Sequence, residues 1–353
     1  MATLPVRRRS TWRRAWPIVR LVGGVILAAV ALYAVLGKRD ELSGTGRALG
    51  HLHDSWLALA CAAEVVSFLC FAALQRRLLH SGGLRIGFGA LTAITFAGNA
   101  VANSLPGGPA WGSVFAYRQY RKRGADETLA VWTLIAVSIC SGVAVGSVAT
   151  AGAMITWDQS GDFNLIGVAL GTLVLAIAAA VLVRRRGFEV AILTWVVRVT
   201  QRVVHWPAGD AREVVEREWR RITAVSPNRA DWMLAMSWAA LNWLWDAFCL
   251  AICFLAVGAS VPWRGLLLAY GAAQLAANLP ITPGGLGVVE GSLTIALVAY
   301  GGALGSTVAA VLLYRILNFW GPLPVGWATW GALMLKARSE AAAAGRTQEA
   351  VPA

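Results

Sequence analysis

The sequence predicts an all-α polytopic membrane protein: two inverted repeats, about six full spans and two re-entrant helix pairs. Three observations carry this. Of 353 residues, 58% are hydrophobic and 14% charged, with mean hydropathy +0.61, far too apolar for a water-soluble domain. Two apolar stretches are interrupted by proline and glycine, at Asn103-Ser104-Leu105-Pro106-Gly107-Gly108 and at Asn278-Leu279-Pro280-Ile281-Thr282-Pro283-Gly284-Gly285. Finally, Lys and Arg gather at alternate ends of the apolar runs, as the positive-inside rule requires.

Residues 1–17 hold Arg7, Arg8, Arg9, Arg13 and Arg14 and are expected in the cytoplasm, ahead of a first span over 18–36. The following loop mixes acids and bases, which suits the outside. The second span, 55–79, carries Glu64 and ends inside at Arg76 and Arg77. The stretch 86–117 then enters, breaks, and returns to the cytoplasmic cluster Arg118, Arg121, Lys122 and Arg123, because neither half alone crosses about 30 Å of hydrocarbon. Spans over 125–156 and 164–183 follow, joined by an acidic loop and ending at Arg184-Arg185-Arg186, which closes a first membrane repeat over 18–186.

A basic linker, 187–228, has amphipathic helical character suited to the inner leaflet. The second repeat, 229–335, begins with a span over 231–257 that holds Asp246. Its re-entrant pair, 263–300, must start and finish outside, because the last span, 303–335, ends inside at Lys336 and Arg338. Residues 336–353 are then a cytoplasmic tail, and both termini lie on the cytoplasmic side of a cell membrane. Charge counting and helix breaking are independent inputs, and both give span, span, re-entrant pair, span, twice over in opposite orientation. Such breaks survive at membrane depth only where protein or a wet cavity satisfies the backbone, and transporters place substrates there. The two interruptions are expected to meet near the midplane.

Several function classes drop out. The formal charge of +13 is accounted for by loops, and no nucleic-acid recognition motif accompanies it. The five cysteines (Cys61, Cys70, Cys140, Cys249, Cys253) all lie in apolar spans. Cys249 and Cys253 share a helix face without a third ligand, so no metal, disulfide framework or cofactor is implied. No Gly-x-Ser-x-Gly or Walker A pattern occurs, so the chain does not read as an enzyme or an ATP-driven pump.

Ionisable groups inside spans are costly, about 2.5–3.5 kcal/mol each on insertion scales, and mark functional sites. Four stand out: Glu64, Asp246, Glu290 and Arg315. Arg315 requires a partner, expected to be Glu290 or Asp246. Glu290 sits in the first turns of the outgoing half-helix, where the helix dipole favours a carboxylate. Glu64 and Asp246 occupy similar places in the two halves and are proton relay candidates. The candidate substrate-binding set is Arg315, Glu290, Asn278, Pro283, Gly284 and Gly285 in the second half, with Asn103, Pro106, Gly107 and Arg118 in the first. The Glu290–Arg315 pair reads either as a head-group contact or as a structural pin for the broken helix.

The run Pro283-Gly284-Gly285-Leu286-Gly287-Val288-Val289-Glu290, with Tyr314-Arg315-Ile316-Leu317-Asn318-Phe319-Trp320, resembles the lysylphosphatidylglycerol synthase transmembrane (flippase-like) family. Asn103-Ser104-Leu105-Pro106-Gly107-Gly108, Tyr117-Arg118 and Arg121-Lys122-Arg123-Gly124 are similar to its first block, although Trp111-Gly112-Ser113 stands where many members carry a glycine-glutamate pair. The resemblance implies handling of polar lipids: anionic or aminoacylated phospholipid, or polyprenyl-linked groups. It places aminoacyl transfer in a separate soluble domain, so lipid synthesis by this chain alone is not expected. Translocation between leaflets is the expected function. The alternatives are a proton-coupled transporter of a small soluble substrate, or a non-transporting accessory of a lipid-modifying enzyme; a homo-oligomer is compatible with each.

Overall fold

The computed structural model describes residues 52–105, 108–157, 227–277 and 285–349. Regular structure among them is entirely helical. Helices α1 (Asp54–Ser81) and α5 (Arg229–Ala256) have 28 residues each, about 42 Å at 1.5 Å per residue, which is enough to cross a bilayer core. An Asn228–Asp231 capping box starts α5.

These two helices pack along one another and run antiparallel. His53 N–H donates to the Ala256 carbonyl at 2.9 Å, Ser67 Oγ to the Asn242 carbonyl at 3.0 Å, and Arg77 pairs with Asp231 at 2.5 Å, so numbering rises on one as it falls on the other. Among the described residues, four helical stretches are long and apolar enough to span a membrane: Asp54–Ser81, Glu127–Thr156, Arg229–Ala256 and Leu304–Lys336.

The two interrupted stretches are helical hairpins. In the first, α2 (Phe88–Ser104) packs on α3 (Gly108–Lys122); in the second, α6 (Trp263–Ala277) packs on α7 (Val288–Ala299). None of the four is long enough alone to cross. Gly108 is required by the first break, because a Cβ there would lie 1.4 Å from the Ala102 carbonyl oxygen. Helix α4 (Glu127–Trp157) follows the first hairpin. After the second come α8 (Leu304–Arg315), a π-helical turn over Ile316–Trp320, and α9 (Pro322–Glu349).

Each hairpin packs on the last described helix of the other half: α2 on α9, and α6 on α4. The α4–α6 contact is antiparallel and glycine-mediated. A Cβ on Gly271 would lie 2.7 Å from Ala149 Cα, one on Gly152 2.3 Å from Leu268 N, and Thr156 Oγ1 donates to the Arg264 carbonyl at 2.6 Å. The core divides accordingly. One cluster gathers the end of α5 with α6, α7 and α8; the other gathers the end of α1 with α2, α3 and the first half of α4.

Helix boundaries recur along the chain. Asp54, Ser81 and Phe88 in the first half match Arg229, Ala256 and Trp263 at an offset of 175 residues. Beyond the breaks, Lys122 and Glu127 match Ala299 and Leu304 at an offset of 177. The left-handed glycines follow the same rule: Gly83 matches Gly258, and Gly124 (φ 96°) matches Gly301 (φ 95°). The two-residue difference falls at the tips, where the second proline–glycine interruption is the longer one.

Some expectations change. The last span is not a straight helix but α8, a π turn and α9, and the helix runs on through the expected tail as far as Glu349. The hairpins share no packed interface among the described residues; the interruptions expected to meet near the midplane, 106–107 and 278–284, lie outside those residues. The first and fourth spans, the N-terminal segment, nearly all of the linker, and Pro106, Gly107, Asn278, Pro283 and Gly284 lie outside the described residues.

Candidate functional site

Antiparallel pairing of α1 and α5 creates the site. Glu64 is the eleventh residue of α1, and Asp246 is the eleventh from the end of α5, so each lies about 15 Å from the end the helices share. Both side chains are buried, and Asn318 Nδ2 lies within hydrogen-bond distance of both carboxyl groups, at 3.3 Å and 2.9 Å. Glu64 and Asp246 thus face each other without being register equivalents: at the 175-residue offset, Glu64 matches Ala239 and Asp246 matches Phe71. The helix boundaries thus place the two acids at different positions in the two halves, not at the similar places expected from the sequence.

Asp246 is surrounded by donors. Its Oδ2 accepts from Tyr270 OH at 2.6 Å and Gln274 Nε2 at 3.0 Å; its Oδ1 accepts from Tyr314 OH at 2.9 Å and Asn318 Nδ2 at 2.9 Å. Four donors complete the acceptor capacity of one carboxylate. Asn318 Nδ2 also reaches Glu64 Oε1 at 3.3 Å, while Glu64 Oε2 is buried and receives no hydrogen bond from a donor. The entering helix α6, the last span and the central helices are therefore tied at one carboxylate. Trp243 supports the cluster: its ring lies edge-on to Tyr270 with centroids 6.4 Å apart, and its Nε1 donates to Ser141 on α4.

One residue further along α8, Arg315 turns to the other hairpin arm. Its Nε meets Glu290 Oε1 at 2.7 Å, and its guanidinium lies 4.6 Å from the centroid of the Phe319 ring. Glu290 Oε2 accepts from Gly287 N–H at 2.7 Å, capping α7 at a glycine with φ 81°. Glu290 thus pins the exit of the break to the last span. Gly285 (φ 69°) opens the same turn.

The π turn sets these directions. Pro322 has no N–H to give the Asn318 carbonyl, and Gly321 N–H bonds instead to the Ile316 carbonyl at 2.7 Å, five residues back. Tyr314 and Asn318 then face Asp246, while Arg315 and Phe319 face Glu290.

Of the expected residues, the structure joins Glu64 with Asp246 and Glu290 with Arg315, and of the two partners considered for Arg315 the carboxylate it meets is that of Glu290. It leaves Asn103 bonded to Asn99 at the end of α2, and Arg118 exposed on α3, which packs on neither α5 nor α8. Tyr270, Gln274, Tyr314 and Asn318 were not among the expected site residues. Their signal was the i, i+4 spacing of Tyr270 with Gln274, and of Tyr314 with Asn318, on helices that turn out to face a buried acid.

The halves differ in chemistry. At the 177-residue offset, Ser113 stands in the place of Glu290 and Ser138 in that of Arg315, and each bonds back to a carbonyl of its own helix. The first hairpin is held by a neutral chain instead: Tyr120 OH donates to Gln75 Oε1 at 2.5 Å, and Gln75 Nε2 to Thr95 Oγ1 at 2.9 Å.

The pattern described as lysylphosphatidylglycerol synthase TM region matches residues 20–326, which takes in both hairpins and the Glu290–Arg315 pair. The chain belongs to that family. A UPF0104 membrane protein of Methanothermobacter thermautotrophicus is 37% identical over 84 residues, 24% of this chain and 24% of that protein. The match thus spans about a quarter of the relative's length. As a member of the lysylphosphatidylglycerol synthase TM family, the chain is a membrane protein whose several apolar helices suit a multi-pass arrangement.

Proposed function

We propose that this chain moves a polar or anionic lipid, or a lipid-linked group, between membrane leaflets. The observation that carries the reading is a buried arginine at a helix break whose partner carboxylate is not fully enclosed. The Arg315 side chain is 6% exposed and that of Glu290 21%. Ile295, Leu312 and Ile316, on the elements carrying the pair, are exposed apolar residues of the kind a lipid-facing surface presents. A head group entering from the side meets a guanidinium and the turn before α7, while its tails stay in the hydrocarbon. An anionic head group competes with Glu290 for Arg315; an aminoacylated one offers an amine to Glu290. Anionic or aminoacylated phospholipids and polyprenyl-linked groups all fit that description.

Reading the two halves as inverted repeats supports this function. The antiparallel α1–α5 and α4–α6 contacts, the exchanged packing of the hairpins and the recurring boundaries are what a pseudo-twofold axis in the membrane plane produces. Under it, Ser67 and Asn242 are equivalent to one another and bond across the axis, with Asn242 Nδ2 donating to Ser67 Oγ at 2.7 Å. The chain performs no covalent chemistry in this reading, and charge places both termini in the cytoplasm.

The test is reconstitution into vesicles of phosphatidylethanolamine and phosphatidylglycerol carrying a fluorescent phosphatidylglycerol analogue. Wild type should exchange the analogue between leaflets, and Arg315→Ala should slow exchange about tenfold or more at unchanged expression, as loss of a charge-assisted contact implies. Wild-type vesicles no faster than protein-free ones would leave the accessory role instead.

A further inference from the structure

We propose that Glu64 and Asp246 form a one-proton site, and that its occupancy sets the position of the α6–α7 hairpin. Two buried carboxyl groups that share the Asn318 amide need a proton between them, since adjacent like charges at membrane depth are prohibitive. The donor count decides where it resides. Asp246 accepts four hydrogen bonds and so has the environment of a carboxylate. Glu64 Oε2 receives none, and is the oxygen left to carry the proton.

Among the described residues, no other charged side chain is bonded to either carboxyl group. On α1 and α5 the neighbouring titratable side chains are the thiols of Cys61, Cys249 and Cys253. Helix α6 contributes Tyr270 and α8 Tyr314, while Arg315 is turned to Glu290 of α7. The π turn brings Asn318; α2 has no titratable residue, and α4 has Glu127 at its start and Cys140. Every group bonded to Asp246 is a donor, the arrangement that suits an anion and not a bound metal cation.

The step is a simple ionisation. The Glu64 O–H bond breaks, the proton leaves to water, and two carboxylates remain face to face. Their repulsion is relieved by separating them, and Tyr270 and Gln274 carry α6 with Asp246, while Tyr314 carries the helix bearing Arg315. Proton occupancy is thereby linked to the broken hairpin at which the lipid head group is proposed to bind. That linkage rests on the translocation reading; the proton site does not.

Infrared spectroscopy of the protein in phosphatidylethanolamine–phosphatidylglycerol vesicles tests the site without any transport. Wild type should show, near neutral pH, a protonated-carboxyl stretching band that shifts in deuterated water and disappears as pH rises. Glu64→Gln should lose it. Asp246→Asn, which removes the neighbouring charge, should move its disappearance to lower pH. Absence of the band from wild type, its survival in Glu64→Gln, or its removal by sodium at fixed pH would overturn the proposal. An environment-sensitive fluorophore on Ala277→Cys, in a Cys61→Ser background, should change emission over the same pH range, and Glu64→Gln should abolish the change; a flat response beside a titrating band would refute the link to the hairpin. A titrating band and probe in vesicles that exchange no lipid would keep the proton site and remove the lipid reading.

Discussion

Glu290 satisfies two donors at once: the amide that opens α7 and the guanidinium of Arg315. Removing its charge while keeping its shape separates the two roles. Glu290→Gln retains an acceptor for Gly287 but leaves a buried guanidinium without its counter-ion, and should lower stability by about 3 kcal/mol. Glu290→Gln with Arg315→Met should recover most of that loss, because an apolar side chain at a buried position asks for no partner. Thermal unfolding in detergent is the measurement, and a double variant no more stable than Glu290→Gln alone would mean that Arg315 stabilises the fold by other contacts. Glu290 and Arg315 were legible because a charge within an apolar run is costly and therefore conspicuous. Tyr270, Gln274, Tyr314 and Asn318 were not, because neutral polar residues are tolerated in spans and reveal a role only when something to bond with is opposite.

At the scale of the element, the last span shows how a local rule sets a distant geometry. Gly321-Pro322-Leu323-Pro324 in the sequence signals a disturbed helix, yet only the coordinates show the disturbance resolved as a π turn that keeps the helix continuous. Pro322→Ala restores an N–H for the Asn318 carbonyl and lets the turn tighten to α geometry. Asn318 and Phe319 then rotate away from Asp246 and Arg315. The expected result is slower lipid exchange with helical content unchanged by circular dichroism; wild-type exchange would show that the π turn is dispensable. The hairpins behave differently. Their breaks were readable from proline and glycine alone, and the structure keeps them close to the expected positions, at Ser104–Gly108 and Ala277–Val288.

For the whole molecule, the antiparallel contacts make a prediction that composition alone could not sharpen. Lys122 and Ala299 are equivalent by the 177-residue offset, both are exposed, and each precedes a left-handed glycine at the end of a hairpin. An inverted repeat puts them on opposite sides of the membrane. In intact cells a membrane-impermeant thiol reagent should label Ala299→Cys and should reach Lys122→Cys only after permeabilisation. Labelling of both from one side would break the inverted arrangement. Chemically the repeat is unequal: the Glu290–Arg315 pair in one half has Ser113 and Ser138 as counterparts in the other. The charged machinery therefore belongs to one hairpin, with the proposed proton pair on the same side of the axis.

The sequence by itself determined the class of the molecule, the existence of both hairpins and the residues whose charge is out of place. Each of these follows from the local balance between side-chain hydration and a hydrocarbon solvent, which acts on a segment wherever it lies in the chain. Which carboxylate Arg315 meets, that Glu64 and Asp246 share Asn318, and that each hairpin rests on the other half were decided by tertiary structure. Those outcomes depend on the register of antiparallel helices whose contacting residues lie as many as about two hundred positions apart, and helical periodicity specifies a buried face without naming what is packed against it.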